Sequence, residues 1–299
     1  MALTTVGILS PGDMGHSVGA MLHRHGLRVL TCLAGRSERT RGLAAEAGMV
    51  EVPDLETLAR EAQIILCILV PSEALNVARA LAEAITRDGT AQSRDVLYAD
   101  CNAVAPRTAV AIDKVIGAVG ARSADVGIIG NPPTEPHTTR FYASGPGAAE
   151  FAQLNDFGLA VRVLDGPVGQ ASGFKMCYAA MTKGVQALGT ELLIAAHRLG
   201  FAEAFAVEQE ASVPVLRNHL QRSLPTMPPK AYRWVGEMEE IATCFADLGM
   251  TPNILLGAAD IFRFVATTPP GRETPETRDR SRTTDELIAL LAGAVDGGR

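Results

Sequence analysis

The chain has 299 residues, 47% of them hydrophobic, which is material for two ordinary domains with substantial cores and argues against disorder. A formal net charge of −6 weighs against a surface that neutralises nucleic-acid phosphates, so no nucleic-acid partner is expected. The longest apolar run, IILCILV over 64–70, is too short to span a bilayer, and MALTTVGILS at the start has neither a basic stretch nor a long apolar one; a cytoplasmic protein without membrane association is expected.

From the start to about residue 165, short Val/Ile/Leu-rich runs alternate with helical patterns. TVGIL, RVLTCL, IILCILV, DVLYAD, ADVGIIG, RFYASG and AVRVLD read as strands, and their alternation with helices predicts a mainly parallel sheet covered on both faces. After LDGPVG the spacing turns helical. Residues 170 to about 199 read as one helix, roughly 45 Å long at about 1.5 Å per residue. Further helices are predicted from 202, from about 230 to 247 and from 251 to 265. The stretch 268–282, rich in Pro, Thr and alternating charge, reads as an exposed linker. A terminal helix over 283–296 opens on a capping box, Thr283 with Glu286. Its apolar stripe is expected to bury against its own domain or a partner subunit. The predicted architecture is α/β: a Rossmann-type domain over 1–165, then an all-α substrate and dimerisation domain over 166–299.

The first candidate site is the turn Ser10-Pro11-Gly12-Asp13-Met14-Gly15, between a strand and a helix. Gly12 lets the backbone approach a pyrophosphate, Gly15 permits close helix packing, and the helix N-terminus offers free N–H groups. Ser10 stands where a first glycine is usual, so a plain strand-turn-helix remains an alternative. The second strand ends without an acidic residue and is followed by Arg36, Ser37 and Arg39. A guanidinium beside a hydroxyl suits a 2′-phosphate, so NADP(H) is expected over NAD(H), the alternative being residues on a solvated helix end.

The second candidate is the start of the long helix, where Lys175, Tyr178 and Thr182 share a face. Lysine is scarce in this chain, and one placed on an otherwise core-like helix invites a functional role; a snorkelling lysine at a domain boundary is the alternative. His23 and His25 are two apart and point in different directions on a helix, so no metal site is expected. Trp234, the single tryptophan, stands near Glu237, Glu239 and Glu240 and is either a core residue or a pocket wall. Five scattered cysteines without a CxxC pair fit reduced core thiols.

Three motifs resemble the β-hydroxyacid dehydrogenase and 6-phosphogluconate dehydrogenase superfamily: GILSPGDMG is similar to its cofactor fingerprint, DCNAVAP to its DxSTxxP segment, and GPVGQASGFK to its catalytic GxVGxGxxxK. The helical remainder, with PPKAYRWVGEMEEIA, resembles a subgroup whose C-terminal domain is poorly characterised. The resemblance implies an NADP(H)-dependent oxidoreductase with Lys175 as the catalytic lysine. It places Ser10, Gly12, Met14 and Gly15 on the phosphate turn, Arg36 and Ser37 on the NADP-selecting pair, and Asn102 and Ala103 in the loop over the nicotinamide. Pro11, Asp13 and Val70 are also expected on the cofactor side, and Gly130, Asn131, Thr182 and Trp234 on the substrate side. Two departures stand out: Ala179 replaces the asparagine one turn after the lysine, and Ile129, Gly130 and Asn131 replace a serine and two glycines that recognise substrate.

The implied reaction is hydride transfer between nicotinamide and a small hydroxy acid or keto acid, or a related alcohol or ketone. Lys175 would exchange the hydroxyl proton, which needs a pKa lowered toward neutrality, and Tyr178 would donate a second hydrogen bond or merely pack. The substrate is expected between the two domains, and a homodimer is expected from the apolar surface of the helical half. Reduction of a ketone or imine without a carboxylate, and NADP(H) sensing without turnover, are the rival readings.

Overall fold

The computed structural model describes residues 2–274 and 276–295. The chain forms two compact units, Met1–Met176 and Cys177–Arg299. The division falls inside one helix, α8 (Gln170–Arg198), some ten residues beyond the boundary read from the sequence.

The first unit alternates β1 (Thr5–Leu9), α1 (Asp13–Arg24), β2 (Arg28–Cys32), α2 (Glu38–Glu46), β3 (Val50–Val52), α3 (Leu55–Glu61), β4 (Ile64–Cys67), α4 (Ala74–Asp88), α5 (Ala91–Arg94), β5 (Leu97–Asp100), α6 (Pro106–Ala118), β6 (Arg122–Ile129), β7 (Arg140–Ser144), α7 (Ala148–Phe151) and β8 (Ala160–Val163). The eight strands form one sheet in the order β3-β2-β1-β4-β5-β6-β7-β8. All neighbours are parallel except β6 and β7, which run antiparallel with Asp125 opposite Ser144. The first six strands have the order of a Rossmann sheet, whose direction of growth reverses between β1 and β4 and opens a crevice at their carboxyl ends. Successive residues of each central strand feed opposite cores: Val6, Ile8, Ile64 and Leu66 on one face, Leu9, Ile65, Cys67 and Tyr98 on the other.

β3 has no counterpart among the predicted strands. It is three residues long and only Val52 is buried, so it lacks the apolar run that marks the others. The single antiparallel pair, β6–β7, leaves the sheet mainly parallel, as the sequence predicts.

The second unit contains the rest of α8, then α9 (Ala202–Ser212), α10 (Pro214–Ser223), α11 (Ala231–Asp247), α12 (Asn253–Thr267) and α13 (Thr284–Ala294). Pro214 opens α10 as its first residue, where its missing N–H does no harm, and so separates it from α9. Trp234 of α11 meets Phe262 of α12 edge to face, with centroids 5.2 Å apart.

Residues 276, 277 and 279–281 of the stretch 268–282 are exposed as its composition predicts, but its ends are not free. Thr268, Pro270 and Gly271 are buried, a single 3₁₀ turn runs Pro270–Arg272, and Arg282 pairs with Glu273 at 2.5 Å. Both ends of the segment are therefore fastened. The capping box of α13 forms as read, Thr283 and Glu286 each bonding to the other's backbone N–H. Leu287, Ile288, Leu291 and Ala292 of α13 are buried, and Thr284 Oγ1 donates to the Gln221 carbonyl of α10 at 3.0 Å. The stripe therefore docks within its own unit; residue 296, which the sequence reading included, lies outside the described residues. Cys67, Cys101 and Cys244 are buried and Cys32 partly so, but Cys177 is exposed and departs from the core-thiol expectation.

Candidate active site

The turn after β1 has the geometry that a phosphate cradle requires. Ser10 adopts φ 64°, the left-handed region where a glycine is normally found, and its carbonyl accepts from the Gly12 amide at 2.7 Å. A Cβ on Gly15 would stand 2.7 Å from the Ser10 carbonyl, so only glycine lets α1 start this close to the turn. A Cβ on Gly12 would meet nothing within 4 Å. Gly12 is therefore open toward solvent, and α1 begins there with no side chain capping its N–H groups. The donors an anion needs are left available, and the dipole favours it. Asp13, in the first turn, pairs with Arg39 at 2.7 Å, which offsets its negative charge beside this site.

Ser37 caps α2 by accepting from the Thr40 amide at 3.3 Å. Arg36 just before it is exposed, and its side chain makes no hydrogen bond among the described residues. Val70, 58% exposed, precedes a short 3₁₀ turn after β4.

Asn102 is buried and engaged internally. Its Oδ1 accepts from the Leu69 amide at 2.6 Å, and its Nδ2 faces Cys67 Sγ at 3.5 Å and donates to Asp100 Oδ1. The side chain thus fixes the backbone that carries Val70. Any contact of this segment with a ligand would come through the loop it orders.

Two buried carboxylates escape the sequence reading. Asp100 ends β5 with Oδ2 buried and without a partner. Burial pushes its carboxyl up to about 7; the Asn102 hydrogen bond opposes this, the nearby Asp125 charge adds to it, and the Lys175 charge opposes it. Asp125, its register partner on β6, is fully satisfied. Its Oδ2 accepts from the Gly169 amide at 2.8 Å, the Ser172 amide at 3.0 Å and Ser144 Oγ at 3.1 Å, and its Oδ1 accepts from Ser172 Oγ at 2.6 Å. Ser144 Oγ in turn accepts from the Ala171 amide at 3.0 Å. Residues on β6 and β7 therefore cap the N-terminus of α8 in place of a local cap.

Lys175 follows this clamp by one turn and is partly buried. A Cβ on Gly127 of β6 would stand 2.9 Å from the Ala171 carbonyl and 3.0 Å from Lys175 Cβ, so glycine there lets the root of the lysine lie against the strand. Gly130, at φ 126°, turns the chain out of β6; Asn131 is exposed, and its carbonyl accepts from Thr139 Oγ1 at 2.5 Å. Cys67 is no candidate nucleophile, because burial pushes its thiol up to about 12.

In the helical unit Tyr178 is 38% exposed, and Thr182 Oγ1 donates to the Tyr178 carbonyl at 3.0 Å. Trp234 is buried, with Lys183 Nζ 5.2 Å above its ring and itself ion-paired with Glu237. This is the core alternative of the two read from the sequence, and the pair that covers the ring was not foreseen. His25 donates from Nδ1 to the Met21 carbonyl at 2.8 Å, closing the end of α1. Among the described residues no group of three His, Cys, Asp or Glu side chains is placed to hold a metal, and no helix is long and apolar enough to cross a membrane.

Comparisons with known proteins agree with this architecture. Residues 196–265 match a family described as a domain of unknown function, DUF1932. A solved conserved protein of unknown function, described as structurally similar to 3-hydroxyacid dehydrogenases, is 28% identical with a TM-score of 0.68, over 87% of this chain and 97% of that one. The 3-hydroxyisobutyrate dehydrogenase of Mycobacterium tuberculosis is 16% identical with a TM-score of 0.71, over 98% and 99%. An imine reductase variant from Myxococcus stipitatus, solved with NAD+, is 14% identical with a TM-score of 0.58, over 98% and 100%. The likeness to these solved proteins is one of fold, a Rossmann unit followed by a helical unit, and the DUF1932 match lies within the helical unit.

Proposed function

We propose that this protein, built on the β-hydroxyacid dehydrogenase plan, is an NADP(H)-dependent oxidoreductase acting on a small hydroxy acid or keto acid, or a related alcohol or ketone. The observation that supports this most is the turn at Ser10–Gly15: an open Gly12, a Gly15 packed against the turn, and an uncapped helix start at the carboxyl end of β1. A dinucleotide fits that cradle, and when bound it supplies the hydride donor or acceptor. The residues of the chain do the rest. Asp125 and Ser144 hold the start of α8, and Gly127 lets Lys175 sit against the sheet. In the oxidising direction the neutral Lys175 amine takes the substrate hydroxyl proton, and in the reducing direction its ammonium returns it. Tyr178 donates a second hydrogen bond to the same oxygen.

Arg36 and Ser37, with no acidic residue at the end of β2, support NADP(H) over NAD(H). Fluorescence titration tests this: the wild type should bind NADPH at least about tenfold tighter than NADH, and Arg36→Ala should lose about that factor, ~1.4 kcal/mol, for NADPH alone. Equal affinities in the wild type would remove the NADP(H) assignment.

The departures at Ile129, Gly130, Asn131 and Ala179 favour a second reading of the substrate, in which a ketone or imine without a carboxylate is reduced. Large exposed apolar side chains on the helical unit, among them Val207 at 68% and Val215 at 82%, support a homodimer. Its free cysteines support a cytoplasmic location.

A further inference from the structure

α9 turns nearly all of itself to solvent, and the one residue it buries is polar: Gln209, 7% exposed. A primary amide offers two donors and an acceptor, and the Gln209 side chain has no hydrogen-bond partner among the described residues. The amide atoms are not among the buried polar atoms left without a partner, so they keep access to the open space beside the helix. The amide lines a cavity of about 90 Å³ in the helical unit, whose apolar wall includes Leu193, Leu220 and Ile288. A water needs about 10–15 Å³ by this measure, so the cavity accepts a molecule of roughly six heavy atoms.

Charges of both signs line the same cavity. Arg217 is held by Glu210, Nε to Oε2 at 3.1 Å, and its terminal nitrogens lie 3.1 and 3.2 Å from the Gln221 amide, which accepts from both when its oxygen is turned toward them. Of its five N–H donors three are used and two remain. Asp285, in the first turn of α13, supplies an exposed carboxylate with no ion-pair partner among the described residues. An immobilised guanidinium, a neutral amide and a carboxylate around a small apolar wall complement a ligand with a carboxylate at one end, an ammonium at the other and a methyl-sized side chain.

We propose that this cavity is a binding site for a small free α-amino acid, distinct from the dinucleotide site and independent of whether the protein turns over a substrate. The ligand carboxylate lies on Arg217 and the Gln209 NH₂, its ammonium on Asp285, and its side chain on the apolar wall. Calorimetric titration of the full chain with L-alanine, with propionate and ethylamine as single-charge probes, tests this. Saturable binding of L-alanine is expected, at least tenfold tighter than either probe, weakened at least tenfold in both Gln209→Leu and Asp285→Asn and unchanged in Lys175→Met. No saturable binding, equal binding of propionate, or retention in both pocket variants would overturn the proposal. Loss in Lys175→Met would move the ligand to the other site and overturn it as well. Gln209→Leu should also melt at or above the wild-type temperature; a fall of several degrees would mean that the amide has a structural partner, and would equally overturn it.

Discussion

The carboxyl end of β5 and the facing stretch of β6 hold two aspartates in register, Asp100 and Asp125, and their surroundings give them opposite behaviour. Asp125 receives four hydrogen bonds, from the Ser144 and Ser172 hydroxyls and the Gly169 and Ser172 amides. Asp100 has a single donor, Asn102, and a buried oxygen with none. Burial is common to both. What separates them is the supply of donors, which α8 brings to one strand and not to its neighbour. The first carboxylate serves as a fixed anchor for the helix that carries Lys175, and the second titrates near neutrality beside it.

The largest expected effect breaks the anchor. Asp125→Ala leaves buried amides at the start of α8 without an acceptor and should cost about 3–5 kcal/mol in urea denaturation. A loss below about 1 kcal/mol would show that the cap is not what holds α8. Asp100→Asn tests the other member through pH. In the folded protein this carboxyl holds its proton to about 7, against an ordinary 3.8. Between those values the folded state binds the extra proton, so Asp100 makes stability fall as pH rises through that window, by on the order of 4 kcal/mol, and contributes no further change above it. The asparagine variant should lose this slope and gain stability at pH 8 relative to the wild type; an unchanged slope would mean that Asp100 is ionised throughout. The smallest effect refines the anchor. Ser144→Ala removes one donor from Asp125 and the acceptor of the Ala171 amide, and should cost about 1–2 kcal/mol by the same denaturation.

Local features were legible in the sequence and distant ones were not. The strands with continuous apolar runs, the long helix and the capping box at Thr283 each announce themselves within a few residues. Ser10 stands where the fingerprint has its first glycine, and the turn forms with this serine itself in the left-handed region at φ 64°. β3 was invisible because one buried valine in three residues makes no pattern. Asp125 could not be paired by eye with donors 19, 44 and 47 residues away. Asp100 could be seen as an acidic residue closing an apolar strand, but its orphaned oxygen depends on what the folded chain fails to place beside it. The sequence alone does not decide between core and pocket for Trp234, because Phe262 and Lys183, which cover it, lie on other helices.

The measurement that tests the central claim most directly is NADP+ reduction and NADPH oxidation across hydroxy acids, keto acids, ketones and imines, by the wild type and Lys175→Met side by side. The account predicts turnover of at least one hydroxyl or carbonyl class by the wild type, and a rate roughly 10²–10⁴-fold lower in a folded variant that still binds NADPH. Equal rates in the two proteins, or tight NADPH binding with no turnover of any compound, would contradict it.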